Sequence, residues 1–248
     1  MTRKDQWDRD IQIEKVAADF LDANFYPLFK KSRDVVRYSD TYHQFGGVDV
    51  SIGKTNFDEK CNIYGCINRV LQHIGLECSI LNKAGNVSEG WFMNSKLSTD
   101  YYSFISLSAT TDDARCLSSC SQVTAADVLW VSKHELSGYV ERFTGMTNVS
   151  LDARKLRFDS DYIEEDPYGC YASLPDVLGF GKPKDGKYRN RYNHGRFWLT
   201  YSSRMHERPV NLVVARQALE SLPHSTHFIV TKERVRRIDG KEETISDK

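Results

Sequence analysis

The chain has 248 residues, 40% of them hydrophobic and 12% aromatic, which is enough for one large domain or a core with an extension. Its 34 lysines and arginines balance its 34 aspartates and glutamates. This balance argues against a protein that coats nucleic acid without specificity, although a local basic patch can still bind it. No apolar run approaches the roughly 18 residues of a membrane span, and the N-terminus lacks a signal-peptide pattern. We therefore expect a cytoplasmic protein without membrane association.

The first predicted element is a helix over residues 8–26, in which apolar side chains recur at helical spacing and form one buried stripe. The stripe consists of Ile13, Val16, Ala17, Phe20 and Leu21. Glu14 lies at the edge of the stripe, where it is either a solvated helix residue or a group that points into a cleft. A strand over residues 35–38 follows, and His43 and Gln44 are then placed where they could line that cleft.

Residues 47–60 predict two short strands joined by a tight turn, because glycine and asparagine tolerate the dihedral angles of hairpin turns. We expect the turn to centre on Lys54 and Thr55. That register pairs Ile52 with Phe57, Ser51 with Asp58, and Asp49 with Lys60.

Alternation along the two strands then puts four polar side chains on one face and four apolar side chains on the other. The polar set is Asp49, Ser51, Asp58 and Lys60, and the apolar set is Val48, Val50, Ile52 and Phe57. Two neighbouring carboxylates repel each other unless a cation lies between them, and Mg²⁺ prefers such oxygen ligands while keeping several waters. A water made more acidic by the metal can attack phosphorus, with Lys60 orienting it or stabilising phosphate charge. The simpler interpretation is the solvated face of an ordinary antiparallel sheet.

Asp49, followed after an eight-residue gap by Asp58-Glu59-Lys60, resembles the core motif of the PD-(D/E)XK nuclease superfamily. The resemblance covers roughly residues 8–110, and the Gly-Val-Asp approach is similar to the resolvase-like branch. Val48 stands where proline precedes the first aspartate in the motif. The resemblance implies that Glu14 on the first helix completes the catalytic set of Asp49, Asp58 and Lys60. It also implies that Asp49 and Asp58 bind Mg²⁺ or Mn²⁺, with Glu59 contributing through its main-chain carbonyl.

Downstream, the pattern predicts strands over residues 76–81, 91–92, 101–107 and 128–131, a turn over 83–86 and a helix over 133–143. Residues 64–74 read as a short helix or as irregular structure. A strand over 210–214, a helix to 222 and a strand over 227–231 complete the chain before a polar tail from residue 241. Alternating strands and helices indicate an α/β or α+β fold with a mixed central sheet. With the resemblance, the expectation is a restriction-endonuclease-like core with a mixed central sheet flanked by helices.

We expect this nuclease core to span residues 1–150 and a C-terminal α+β extension, residues 151–248, to pack on it. Residues 181–196 of the extension are rich in basic residues, tyrosine and glycine, which suits contact with a phosphate backbone and stacking on unpaired bases. A solvated loop is the alternative. The candidate nucleic-acid-binding residues are Lys182, Lys184, Lys187, Arg189, Arg191 and Arg196.

The six cysteines include no C-x-x-C pair, so reduced, unlinked thiols are expected, with a zinc site as a minor alternative. The sequence thus predicts a metal-dependent nuclease, an endonuclease that hydrolyses DNA in preference to RNA, with a homodimer left open. One alternative is a non-catalytic nucleic-acid- or protein-binding module on a nuclease-like scaffold. Another is an unrelated α/β protein with a fortuitous hairpin.

Overall fold

The computed structural model describes residues 3–61, 67–81, 86–113, 116–144, 164–166, 169–171, 197–201 and 209–238. Over these residues the protein is a mixed α/β fold with few helices and two β-sheets. The chain forms two compact units, unit 1 from residues 1–71, 98–136 and 220–248, and unit 2 from residues 72–97 and 137–219. Each unit is assembled from separate stretches of the chain.

The helices within the described residues are α1 (Arg3–Asn24), α2 (Pro27–Lys30), α3 (Thr41–Phe45), α4 (Lys133–Thr144) and α5 (Arg216–Glu220). The strands of unit 1 are β1 (Val35–Arg37), β2 (Val50–Ile52), β3 (Thr55–Cys61), β6 (Tyr101–Ala109), β7 (Val123–Ser132), β12 (Thr226–Thr231) and β13 (Val235–Arg237). Those of unit 2 are β4 (His73–Leu81), β5 (Val87–Glu89), β8 (Glu164–Asp166), β9 (Gly169–Tyr171), β10 (Phe197–Tyr201) and β11 (Pro209–Ala215).

The sheet of unit 1 is mixed and has the strand order β1-β2-β3-β6-β7-β12-β13. Strands β1, β2 and β3 form an antiparallel meander, and β6 then pairs parallel to β3, with Phe57 beside Tyr101 and Lys60 beside Phe104. The remaining pairings in this sheet are antiparallel. The parallel pair therefore lies at the strand that carries the Asp58-Glu59-Lys60 motif.

Helix α1 covers one face of this sheet with the predicted apolar stripe, whose five members are at most 2% exposed. The stripe packs with Val50, Ile52 and Phe57 and with side chains of β6, β7 and β12 in one core cluster. Burying each such large apolar side chain contributes about 1.5–3 kcal/mol. The helix is thereby fixed on the apolar face of the hairpin.

The sheet of unit 2 has the order β5-β4-β11-β10-β9-β8, and its strand pairings within the described residues are antiparallel. Residues 91–92, predicted as a strand, instead lie in a turn, and Phe92 N–H donates to the carbonyl of Glu77. The described part of the 64–74 segment, residues 67–72, contains turns and bends, and β4 begins at residue 73. The predicted helix at residue 133 and the final strand-helix-strand order are confirmed.

Cys61, Cys78, Cys116 and Cys120 are free thiols. Among the described residues, no helix combines the length and apolar character needed to cross a bilayer.

Candidate functional site

The hairpin of β2 and β3 turns through Gly53 and Lys54, with Ile52 paired to Thr55 and Val50 paired to Phe57. Gly53 has φ of +63°, and a glycine at the first central position is the requirement of a type II′ turn. The predicted register, with Ile52 opposite Phe57, is therefore wrong by two residues. A shift of two leaves each β3 side chain on its predicted face because the side-chain period is two.

Asp49 precedes β2 and is held alongside Asp58. Its N–H donates to the carbonyl of Phe57 over 2.9 Å, and its Oδ2 accepts the N–H of Glu59 over 2.7 Å. The two β3 groups that bind Asp49 flank Asp58 on either side. This arrangement brings the carboxylates of Asp49 and Asp58 together.

The carboxylate pair is under-compensated. Asp58 is only 3% exposed, and Lys60 Nζ lies 2.7 Å from its Oδ1. Its other oxygen, Oδ2, is buried and accepts no hydrogen bond from any residue that the structure describes. Burying a charged oxygen without a donor is costly, so this atom favours the approach of a proton or a cation.

Burial is the main reason that the pKa of Asp49 rises to about 6, and the adjacent Asp58 carboxylate raises it further. The N–H of Glu59 and the ammonium of Lys60 lower it only in part. Two carboxylates that lie together in a buried place oppose the ionisation of both, so the pair takes up a proton or a cation.

Lys133 is a second cation near Asp58, and the sequence analysis did not include it. Tyr102 pairs with Asp58 on one side and with Val131 on the other, and Lys133 lies two residues beyond Val131. Its N–H donates to the carbonyl of Asp100 over 2.9 Å. Burial lowers the pKa of Lys133, while the Asp58 and Asp100 carboxylates raise it in part. The alternation of side chains along the strand puts Lys133 on the same face as Val131, and the sequence shows this. Only the pairing of β6 with β3 reveals that this face is the face of Asp58.

Glu59 points to the opposite side of β3, where it is fully engaged. Arg37 Nη1 donates to its Oε2 over 2.7 Å, and Tyr26 OH donates to its Oε1 over 2.5 Å. Arg37 also pairs with Asp22 of α1 over 2.7 Å. The Glu59 side chain is thus committed to this network, and what Glu59 gives to the acid pair is its backbone N–H.

Glu14 is not brought to the acid pair. It is exposed on α1, and α1 packs on the face that carries Val50 and Phe57, opposite the face of Asp58. The six basic residues predicted to bind nucleic acid, in residues 181–196, lie outside the described residues.

The described chain contains no group of three or more histidine, cysteine, aspartate or glutamate side chains arranged to hold a metal. The donor set near Asp58 is therefore the two carboxylates. Comparison with protein-family models, with curated proteins and with solved structures finds no match for this chain.

Proposed function

We propose that unit 1 carries a divalent-cation-dependent nuclease site that hydrolyses phosphodiester bonds, in DNA in preference to RNA. The observation that carries the proposal is the pairing of Asp49 with the buried Asp58, whose Oδ2 has no partner among the described residues. A restriction-endonuclease-like core is the scaffold we propose. It is supported by an antiparallel meander followed by a parallel strand, with a helix across one face.

The donor set fits Mg²⁺ or Mn²⁺, with Asp49 and Asp58 as the residues that would hold it. Mg²⁺ is commonly bound through one or two carboxylates plus water and substrate phosphate, so a third protein ligand is not required. The buried Oδ2 of Asp58 has no donor among the described residues, and burial together with the neighbouring Asp58 carboxylate raises the pKa of Asp49; both observations support a site that takes up a cation. When bound, the cation would supply a more acidic water and neutralise charge on the phosphate.

The protein's own groups would position the reacting atoms. Lys60, fixed by its 2.7 Å contact with Asp58, would donate to a non-bridging phosphate oxygen or orient the attacking water. Lys133 would add positive charge from the start of α4, directly after β7. In the reaction, the water oxygen forms the new bond to phosphorus and gives a proton to solvent, while the bond to the leaving oxygen breaks.

The test is incubation of the full chain with labelled duplex, branched and single-stranded DNA and with RNA, in Mg²⁺, in Mn²⁺ and with a chelator. We expect metal-dependent cleavage of DNA. Lys60→Ala should lose cleavage while retaining Mg²⁺ affinity in calorimetry, and Asp58→Asn should lose both. Glu14→Gln, a change of one exposed carboxylate on α1, is the matched control and should cleave as the unaltered chain does.

Binding of nucleic acid without cleavage under every condition would overturn the nuclease and favour the non-catalytic binding module. Unchanged Mg²⁺ affinity in Asp58→Asn would overturn the metal site itself.

A further inference from the structure

Helix α3 carries a histidine–aspartate pair, Asp40 and His43, a few residues before Asp49 in the chain. Asp40 is the N-cap of this helix, and its carboxylate accepts the backbone N–H of His43 over 3.0 Å. The same carboxylate lies 2.7 Å from the Nδ1 atom of His43. Both contacts lower the pKa of Asp40, so the carboxylate stays ionised and Nδ1 carries its proton toward it.

The imidazole ring is oriented by a second contact. It stacks on Tyr38 with 3.8 Å between ring centroids and 14° between planes. The Asp40 contact and the stack fix two independent directions, which is more than helix capping requires. The Nε2 atom of His43 has no hydrogen-bond partner among the described residues, and the side chain is 36% exposed, so Nε2 is open to a ligand.

The backbone ties this oriented ring to the metal-site aspartate. Tyr38 N–H donates to the carbonyl of Asp49 over 2.8 Å, and Val48 N–H donates to the carbonyl of His43 over 3.0 Å. Ser51 Oγ donates to Tyr38 OH over 3.3 Å, and Ser51 pairs with Asn56, which shares a β3 face with Asp58. The Tyr38 side chain therefore lies on the face of the sheet that carries Asp58, and the His43 ring stacks on it.

Resting on the proposed function, we infer that His43 is the general acid that protonates the leaving oxygen of the substrate, and that Asp40 is its positioning residue. A sugar hydroxyl leaves poorly as an alkoxide, so a proton at this step contributes typically 10²–10⁴-fold. In the step, the bond from phosphorus to the leaving oxygen breaks, and that oxygen takes the proton from Nε2. His43 regains a proton from solvent after the alcohol departs.

The inference specifies the substrate class: a phosphodiester whose leaving group is an alcohol, such as a nucleotide hydroxyl. A diester with an acidic phenol as leaving group needs no such proton. The experiment compares a labelled oligonucleotide with bis(p-nitrophenyl) phosphate, both with Mg²⁺ and the full chain.

We expect His43→Gln to lose about 10²–10⁴-fold in kcat on the oligonucleotide and far less on bis(p-nitrophenyl) phosphate. His43→Gly should regain part of the lost oligonucleotide cleavage when imidazole is added. Asp40→Asn should lower kcat on the oligonucleotide with little change in KM. His224→Asn is the matched control, because His224 is an exposed histidine with φ of +61° that asparagine tolerates, and it should behave as the unaltered chain.

Equal loss on both substrates, or no loss on either, would overturn the role of His43. A wild-type chain that cleaves neither substrate would overturn the proposed function, and the role of His43 would fall with it. A chain that cleaves both, with an unaffected His43→Gln variant, would retain the nuclease and remove only the general acid.

Discussion

Asp58 and Glu59 are neighbours on β3, but their side chains lie on opposite faces of the sheet and have different hydrogen-bond partners. Glu59 faces α1, where Arg37 and Tyr26 satisfy its carboxylate and Asp22 satisfies the other side of the guanidinium. Asp58 faces away from α1, where it shares Lys60 with a second carboxylate and keeps one oxygen unpartnered among the described residues. Both carboxylates are buried, so burial alone does not mark a functional acid. The two carboxylates differ in their hydrogen-bond donors: both oxygens of Glu59 accept a hydrogen bond, whereas Oδ2 of Asp58 accepts none from the described residues.

This difference has an energetic reason. A buried carboxylate that has all its donors is close to neutral in free energy, and removing one of the donors is costly. A buried carboxylate that lacks donors is already destabilising in the absence of a ligand, and the fold tolerates it where the missing partner binds. The face of Glu59 is thus expected to respond to mutation with a loss of stability, and the face of Asp58 with a gain.

The largest expected effect is on the face of β3 that carries Glu59. Arg37→Met should lower the free energy of unfolding by about 3–5 kcal/mol, because it leaves Glu59 buried without its cation. The measurement is urea unfolding at pH 7.5. The double variant Arg37→Met/Glu59→Gln should recover much of the loss, since its buried side chain is neutral. A single variant within about 1 kcal/mol of the unaltered chain would contradict the comparison.

Asp49→Asn tests the face of the sheet that carries Asp58 and should raise the free energy of unfolding at neutral pH. The folded pKa of Asp49 is about 6, above the usual unfolded value of about 3.9, so the folded state binds the extra proton. Its contribution to stability is full below about pH 4 and is lost as pH rises through about 6. Asparagine cannot ionise, so the variant should gain up to about 2–3 kcal/mol at pH 7.5 and nothing at pH 4. Unfolding curves at both pH values measure this, and an equal change at the two would refute the assigned pKa.

Mg²⁺ should reduce the difference between the two faces of β3, because it should stabilise the face that carries Asp58. At ten times its dissociation constant, the ion should stabilise the folded chain by about 1.4 kcal/mol at pH 7.5. The gain should shrink at pH 5, where Asp49 holds a proton, and vanish in Asp58→Asn. Thermal unfolding with and without Mg²⁺ measures the gain, and Glu14→Gln should keep it. A gain that survives in Asp58→Asn would place the ion elsewhere.

The smallest expected effect comes from Tyr26→Phe, which removes one donor to Glu59 but leaves Arg37 in place. The loss should be about 1 kcal/mol in urea unfolding, the usual net value of one hydrogen bond. Tyr42→Phe, at a tyrosine that is 83% exposed, is the control and should change stability little. A loss as large as that of Arg37→Met would mean that the phenol of Tyr26, and not the guanidinium of Arg37, contributes most of the stabilisation of the Glu59 carboxylate.

Local patterns predicted which hairpin residues share a face, but not the pairing between the strands. Alternation put Asp58 and Lys60 together, and it survived the register error because the error was a multiple of two. Gly53 was the signal for the correct turn, since glycine at the first central position favours a two-residue turn. The expected turn centre, Lys54 and Thr55, was wrong by one residue, since the turn centres on Gly53 and Lys54.

The positions of Glu14 and Lys133 depend on long-range packing. The spacing of Ile13 and Phe20 predicted the buried side of α1, but no local pattern states which face of the sheet the helix covers. Lys133 comes near Asp58 only because β6 pairs with β3 on one edge and with β7 on the other. The ion pair between Arg37 and Glu59 likewise joins β1 and β3, which lie on either side of β2, and no local pattern predicts that order.

The antiparallel pairing of β7 with β12 has a consequence for the synthesis of the chain on the ribosome. Asp127 and His227 meet across these strands at 2.7 Å, although 100 residues separate them along the chain. At about 5–20 residues per second, a ribosome takes roughly 5–20 seconds to make that interval. Until then β7 has β6 on one side and an open edge on the other, and an open edge can pair with another chain. The nascent protein thus depends on β12 to protect the edge of β7 from aggregation, well after the hairpin with the acid pair has been made.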